Sequence, residues 1–328
     1  MNSLFYFLKL VRLQNLIIIA ICHYFIRYAF TKTFLPFPVL NDLHFFFFVL
    51  TTISIAAAGY IINDIYDIKT DEINKNGKII INKEIKYRTA IIFYIFLNVF
   101  AILLGTYLAF TIDRILYSLV FLYCIIFLWL YSKSMKKSFL IGNIHISILS
   151  SLVLINTALF DIIPNINFKG NESGYMILKI ILLYSLFSFL ITLVREFVKD
   201  IEDKEGDIRV NAKTLPIVLG EEKTKIIIFG LAFLIFVMVG LWQYFQFQII
   251  SLVNIEWEDK IYESVFIWGT DKFSIIYTII LQISLLLFML KLYCSKKKND
   301  YYYLSQLCKV IMLIGICSMP CFTFFYLQ

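Results

Sequence analysis

Nine apolar runs, each long enough to cross a bilayer, divide the chain at about residues 13–30, 45–62, 89–110, 115–131, 139–160, 175–197, 226–248, 273–293 and 304–327. A backbone in lipid must satisfy its own polar groups, so only helices and closed barrels span. These runs do not alternate polar with apolar residues as barrel strands do, and each approaches the roughly 20 residues that a spanning helix needs. Of the 328 residues 60% are apolar and 16% charged, against about 45–50% and 25% in soluble domains. Nine spans consume nearly all of that apolar complement, which leaves no material for a large soluble unit. The expectation is an all-α membrane protein of about nine transmembrane helices in a single bundle around a central cavity, with residues 1–328 forming one domain. The longest polar connection is expected over 249–272, as a short ordered loop.

Lys9 and Arg12 precede the apolar stretch Leu16–Cys22 in the manner of a secretory signal. No small-x-small cleavage pattern follows and the apolar character continues, so this stretch reads as the first span. Placing every Lys and Arg on alternate sides of nine spans puts 23 of the 30 on the side of the N-terminus. Arg27, Lys32, Arg114, Lys169, Lys179, Lys260 and Lys272 fall on the other side. Basic residues mark the cytoplasmic face, so the N-terminus and the connections after spans two, four, six and eight are expected there. The net charge of +7 is thereby spent on orientation, with no clustered basic tail for nucleic acid, and no obligate protein partner is evident. The six cysteines form no C-x-x-C pair and lie mostly inside spans, as small buried apolar side chains do. His23, His44 and His145 are too scattered for a metal site.

Two connections on the basic side carry an unusual density of acids. The first reads Asn63-Asp64-Ile-Tyr-Asp67-Ile-Lys-Thr-Asp71, the second Arg195-Glu-Phe-Val-Lys199-Asp200-Ile-Glu-Asp203-Lys-Glu-Gly206-Asp207. Both contain Asp-x-x-Asp-x-x-x-Asp. On a helix, positions i, i+3 and i+7 fall within a sector of about 60°, so each stretch presents its three carboxylates as a comb at a helix end. A single acidic loop would read as a solvated helix end. Two copies with one spacing, each following an apolar span on the same side, corroborate each other. Six ionised Asp repel unless cations sit between them. Hard divalent ions suit such oxygen donors, and Mg²⁺ is commonly held by a few carboxylates together with substrate phosphates. The combs therefore point to Mg²⁺ and a phosphorylated substrate.

At these residues the chain resembles the UbiA superfamily of intramembrane prenyltransferases. Asn63, Asp64, Asp67 and Asp71 match its first motif, and Asp200, Asp203 and Asp207 its second. The surrounding Arg195-Glu-x-x-Lys199-Asp200 is most similar to the branch that prenylates geranylgeranylglyceryl phosphate. The resemblance implies the family's fold and a Mg²⁺-dependent transfer from an allylic prenyl diphosphate to a lipophilic acceptor in the membrane, with the six Asp as catalytic, metal-holding residues. It also assigns diphosphate-binding roles to Arg12 and Asn15 in Arg12-Leu-Gln-Asn15 and to Tyr131 and Lys136 in Tyr131-Ser-x-x-Met-Lys136, with Arg195 and Lys199 adding positive charge. After the first motif the family carries Arg-Pro, where this chain has Lys78-Ile79. Lys78 keeps the charge and loses the planar fork of Arg.

On that reading diphosphate loss leaves an allylic cation, shielded from water by aromatic helices. A second-comb carboxylate not committed to metal is the candidate base for an alcohol acceptor. Asn143, His145, Ser150, Ser151 and Asn156 either line the cavity or bond between helices. An aromatic acceptor of the ubiquinone or menaquinone type is the alternative substrate. A cation transporter is the alternative class, and it would place its acids in mid-helix, where this chain has almost none.

Overall fold

The computed structural model describes residues 2–35, 38–68, 71, 80–165, 172–256 and 269–327. The chain enters through a short helix, α1 (Asn2–Leu10), and a break at Arg12. Four spans follow: α2 (Leu13–Phe34), α3 (Asp42–Tyr66), α4 (Tyr87–Thr111) and α5 (Ser118–Lys133). After α6 (Ile141–Asp161) and α7 (Glu172–Glu202) come two short helices, α8 (Lys204–Arg209) and α9 (Leu215–Val218). The last spans are α10 (Glu221–Glu256), α11 (Lys272–Cys294) and α12 (Lys298–Tyr326). Nine of these helices are long and apolar enough to cross a membrane among the described residues. They coincide with the nine runs expected. The connection expected over 249–272 starts later, because the backbone of α10 stays helical through Glu256, and residues 257–268 lie outside the described residues.

The apolar residues that predict the spans also decide how they pack. α3, α4 and α5 close on one another around Phe45, Phe48, Leu108 and Phe121. Gly105 of α4 lets this happen, since a Cβ there would stand 2.4 Å from the Phe121 ring; small residues admit such close approach between membrane helices. On the other side α7 packs between α6, α10 and α12 around Val194, Phe197, Leu285 and Leu304. The first span joins the halves: Ile26 and Phe30 of α2 share one cluster with Leu154 of α6, Ile181 of α7 and Phe322 of α12. An apolar cavity of about 110 Å³ lies among α7, α10, α11 and α12, lined by Phe187, Leu190, Tyr277 and Phe322 among others. None of the comb acids lines it.

Opposite the combs, the far end of the bundle is fastened by one buried cation. α2 widens into a π-helical turn over Arg27–Thr31. The Arg27 guanidinium, only 2% exposed, donates from Nη1 to both carboxylate oxygens of Asp161 at 2.8 Å. From Nη2 it donates to the Leu40 carbonyl at 2.7 Å and to Asp42 at 3.0 Å. The Leu40 amide returns a bond to Asp161 at 3.0 Å, and the Phe45 ring lies under the guanidinium at 4.4 Å. Thr323 of α12 donates to the Ala29 carbonyl within the π turn at 3.1 Å. Four spans thus converge on a fully bonded ion pair. Breaking a buried pair by removing one partner costs about 3–5 kcal/mol, because the other charge is left uncompensated. Asp161→Ala and Arg27→Leu are each expected to lower stability by about that amount in thermal unfolding of the detergent-solubilised protein. The double variant should lose less than the two combined. Additive losses would show that the pair does not hold this end.

Candidate active site

The bend that begins the site is written in the backbone. Arg12, between α1 and α2, has φ 53° and ψ 56°, the left-handed region that costs a residue with a Cβ about 1–2 kcal/mol. Such strain persists where surrounding contacts hold it, and here they are evident. Arg12 Nη2 donates to Asp64 Oδ1 at 3.0 Å, and its guanidinium lies 4.7 Å from the centre of the Tyr60 ring. Asn15, one turn into α2, donates to the Tyr60 hydroxyl at 3.2 Å. Burial works against the Arg12 charge, yet Asp64, Tyr60 and Asp71 outweigh it and leave its pKa raised.

The first comb runs off the end of α3. Asp67 closes that helix at φ −92° and ψ 0°, but the hydrogen-bond ladder continues, from the Asp67 amide to the Asn63 carbonyl (2.9 Å) and from the Asp71 amide to the Asp67 carbonyl (2.7 Å). Helical register is therefore kept along the comb. The Asn63 side chain donates to Asp67 Oδ2 at 2.8 Å, and Lys136 forms a tight ion pair with Asp67 Oδ1. Lys136 sits in the turn between α5 and α6, where burial lowers its pKa and Asp67 opposes the shift. Gly142 fixes that turn: a Cβ there would stand 2.6 Å from the Met135 carbonyl oxygen and 2.7 Å from Lys136 Cα.

The second comb leaves α7 in the same way. Asp203 stands at the junction with α8, and the ladder again passes through it, from the Asp203 amide to the Lys199 carbonyl (2.8 Å) and from the Asp207 amide to the Asp203 carbonyl (3.1 Å). Asn143 of α6 donates to Asp200 Oδ2 at 2.9 Å. The Lys213 amide donates to the Lys137 carbonyl at 2.8 Å, tying the segment after α8 to the Lys136 turn. Burial, then the charges of Asp203 and Asp67, push the Asp207 carboxyl up to about 6. Asp67 thus acts on Asp207 across the gap, and the Lys213–Lys137 backbone bond holds the two sides of that gap together. Tyr131, on α5, lies within electrostatic reach of Glu196, Asp200, Asp67 and Arg12, so it stands among all the groups just named.

Thirteen of the fourteen site residues expected from the sequence gather at this one end, and Lys78 lies outside the described residues. Two of them pair with an acid that sequence reasoning left without a role. Arg195 Nη1 donates to Glu196 Oε1 at 2.8 Å, and Lys199 Nζ lies 3.3 Å from Glu196 Oε2. Their direct partner is thus a carboxylate of their own helix. Glu196, buried at 5% exposure, received no role from the sequence, although it lies one turn before Asp200 on the comb face of α7.

Residues 17–255 match the UbiA prenyltransferase family. The chain belongs to that family. As a UbiA prenyltransferase it is an integral, multi-pass membrane enzyme that transfers prenyl groups. It is 34% identical over 221 residues, 67% of this chain and 72% of the relative, to a digeranylgeranylglyceryl phosphate synthase of Sulfolobus acidocaldarius. With the protein of that name from Sulfurisphaera tokodaii it shares 32% over 255 residues, 78% of this chain and 84% of the relative. Its fold superposes on a solved digeranylgeranylglyceryl phosphate synthase with a TM-score of 0.64 at 24% identity, over 98% of this chain and 99% of that one. A UbiA homologue from Archaeoglobus fulgidus, solved with GPP and Mg²⁺, gives 0.55 at 13% identity over 96% and 99%.

Within this UbiA bundle no three acidic, His or Cys side chains among the described residues converge tightly enough to enclose a metal ion by themselves. The donor set still suits Mg²⁺, which is usually held by one or two carboxylates and completed by water and phosphate oxygens. Because Gly142 sets the position of Lys136, Gly142→Ala is expected to lower prenyl transfer about tenfold, near 1.4 kcal/mol of barrier, while the bundle stays folded. Full activity in the variant, assayed in membranes, would refute the role of that close approach.

Proposed function

We propose that this enzyme prenylates the free hydroxyl of geranylgeranylglyceryl phosphate, with an allylic prenyl diphosphate as donor and Mg²⁺ as cofactor, at a site open to the cytoplasm. The observation that carries the reading is the pair of carboxylate combs facing each other across one gap, flanked by Arg12 on one side and Lys136 on the other. A diphosphate is the ligand such a gap suits when divalent cations accompany it. The relatives named above support the acceptor. The asymmetry of Lys and Arg supports the orientation, since Arg12, Lys136 and both combs share the basic side.

In this scheme Asp64, Asp67 and Asp71 and their counterparts Asp200, Asp203 and Asp207 hold Mg²⁺, which when bound offsets the charge of the departing diphosphate. Asn63 and Asn143 fix the orientation of Asp67 and Asp200 by donating to them. Arg12 and Lys136 pair with Asp64 and Asp67 in the absence of ligand and are in place to bind phosphate oxygens as these arrive. Asn15 holds Tyr60 against Arg12, and Tyr131 presents its hydroxyl among the charges. Lys78, in the loop after the first comb, adds a positive charge for the diphosphate. The acceptor oxygen bonds to the allylic carbon as the carbon–oxygen bond to diphosphate breaks, and the hydroxyl proton passes to a second-comb carboxylate oxygen that metal leaves free.

Asp64→Ala and Asp203→Ala are each expected to abolish transfer, measured with labelled geranylgeranyl diphosphate, Mg²⁺ and the acceptor in membranes of expressing cells, and chelator should do the same to the unmodified enzyme. Undiminished product in either arm would sink the reading. A second outcome concerns pH. An Asp207 carboxyl that titrates near 6 binds a proton below that pH and competes with metal. The Mg²⁺ concentration for half-maximal activity should thus rise about fourfold between pH 7.5 and 5.5 from this one group. An unchanged requirement would count against Asp207 as a ligand.

A further inference from the structure

The diphosphate scheme uses Arg12 and Lys136 and leaves a second group of cations unspent. On α7, Arg195 and Lys199 share one carboxylate, Glu196. Facing them from α12, which packs along α7, Lys309 lies within electrostatic reach of Arg195, Lys199, Arg12 and Glu196. Arg12 is committed to Asp64. Asp200 and Glu202 also lie within reach of Lys199, and Glu202 of Arg195, so what the cluster leaves unmet is hydrogen-bonding capacity at particular donors. The Nε–H of Arg195 is buried and has no hydrogen-bond partner, and Lys309 pairs with no carboxylate among the described residues.

Neither Arg195 nor Lys309 stands at the end of its helix. Lys309 is eleven residues into α12, about 16 Å along its axis, and Arg195 is seven residues short of the end of α7, about 10 Å. Charged residues at such depth are costly and mark binding sites, and like charges gathered in a low dielectric call for an anion. A phosphate monoester carries a charge of about −1.5 to −2 near pH 7 and three acceptor oxygens, which suits the unpartnered Arg195 Nε–H and the Lys309 ammonium beside it.

We propose that Arg195, Lys199 and Lys309 form a second anion site, separate from the diphosphate gap, that binds the phosphate monoester of the acceptor. Glu196 holds Arg195 and Lys199 in place when the site is empty. Binding the phosphate here, one turn from Asp200 on the same helix, would bring the acceptor's hydroxyl toward the combs while its chain stays in the bundle. The inference rests on the proposed acceptor and adds where its headgroup is recognised. Lys309 enters as a specificity residue that sequence reasoning counted only as a positive charge on the basic side.

The test compares geranylgeranylglyceryl phosphate with its dephosphorylated alcohol on the purified full-length enzyme. Lys309→Gln is expected to raise KM for the phosphorylated acceptor about tenfold, while KM for the prenyl diphosphate and the rate with the alcohol change less than twofold. Lys309→Arg should restore most of the loss. Should Lys309→Gln not accumulate, inorganic phosphate serves with the unmodified enzyme, where competitive inhibition against the acceptor but not against the donor is expected. An unchanged acceptor KM, a rise confined to the donor KM, or phosphate competing with the donor alone would overturn the second site and leave the proposed reaction standing. If the unmodified enzyme prenylates an aromatic acceptor and neither glycerol compound, the proposed acceptor itself fails.

Discussion

Carboxylates at the rim of an apolar bundle repel one another, and the architecture of one end of this enzyme follows from that repulsion. Two such charges about 5 Å apart oppose each other by roughly 3 kcal/mol even at an effective dielectric of 20. The groups that offset this come from different helices. Arg12 ties the α1–α2 junction to α3 through Asp64. Lys136 ties the α5–α6 turn to the end of α3, and Asn143 ties α6 to α7 through Asp200. Neutralising the combs therefore also fixes where six helix ends stand, and the strained backbone at Arg12 and the close approach at Gly142 are what that placement requires.

The two ends of the bundle handle buried charge in opposite ways. At the far end Asp161, fully buried, accepts two bonds from Arg27 and one from the Leu40 amide. With its carboxylate saturated in this way, the ion pair serves as a fastening. At the comb end burial, with the charges of Asp203 and Asp67 behind it, lifts the Asp207 carboxyl to about 6. Unspent electrostatic energy of that kind is what a divalent cation and a diphosphate release on binding. The same bundle is thus rigid where its charges are matched and receptive where they are not.

The features legible in the sequence are those with a one-dimensional period. Apolar runs fix the spans because lipid leaves the backbone no alternative, and the repeated Asp spacing survives in the structure because the hydrogen-bond ladder passes unbroken through Asp67 and Asp203. What could not be read depends on which helices become neighbours. Arg27 and Asp161 are 134 residues apart, and in the sequence Arg27 counts only as one of the basic residues of the far side. Gly142 is one of 12 glycines, and only the backbone of Met135 and Lys136 opposite it makes it special. Arg195 and Lys199 flank a comb, and helical geometry places Glu196 between them at i+1 and i−3, a pairing that the comb spacing did not indicate. Glu196 itself carried a readable signal, one turn ahead of Asp200.

Lys309 shows why charge inside a span is more informative than charge at its end. A lysine at the rim is explained by orientation alone and needs no partner. About 16 Å along α12 and half-buried beside α7, Lys309 stands among other cations, which orientation alone does not require. The group must then be offset locally, and the one carboxylate within reach, Glu196, already serves two other cations. A helix that kept such a lysine without an anion to meet it would carry part of its desolvation cost, and its repulsion from Arg195 and Lys199, in every state of the enzyme. With a phosphate in place that cost becomes binding energy, available only when the phosphorylated acceptor is present, and the deep charge turns into a means of telling that acceptor from its neutral alcohol.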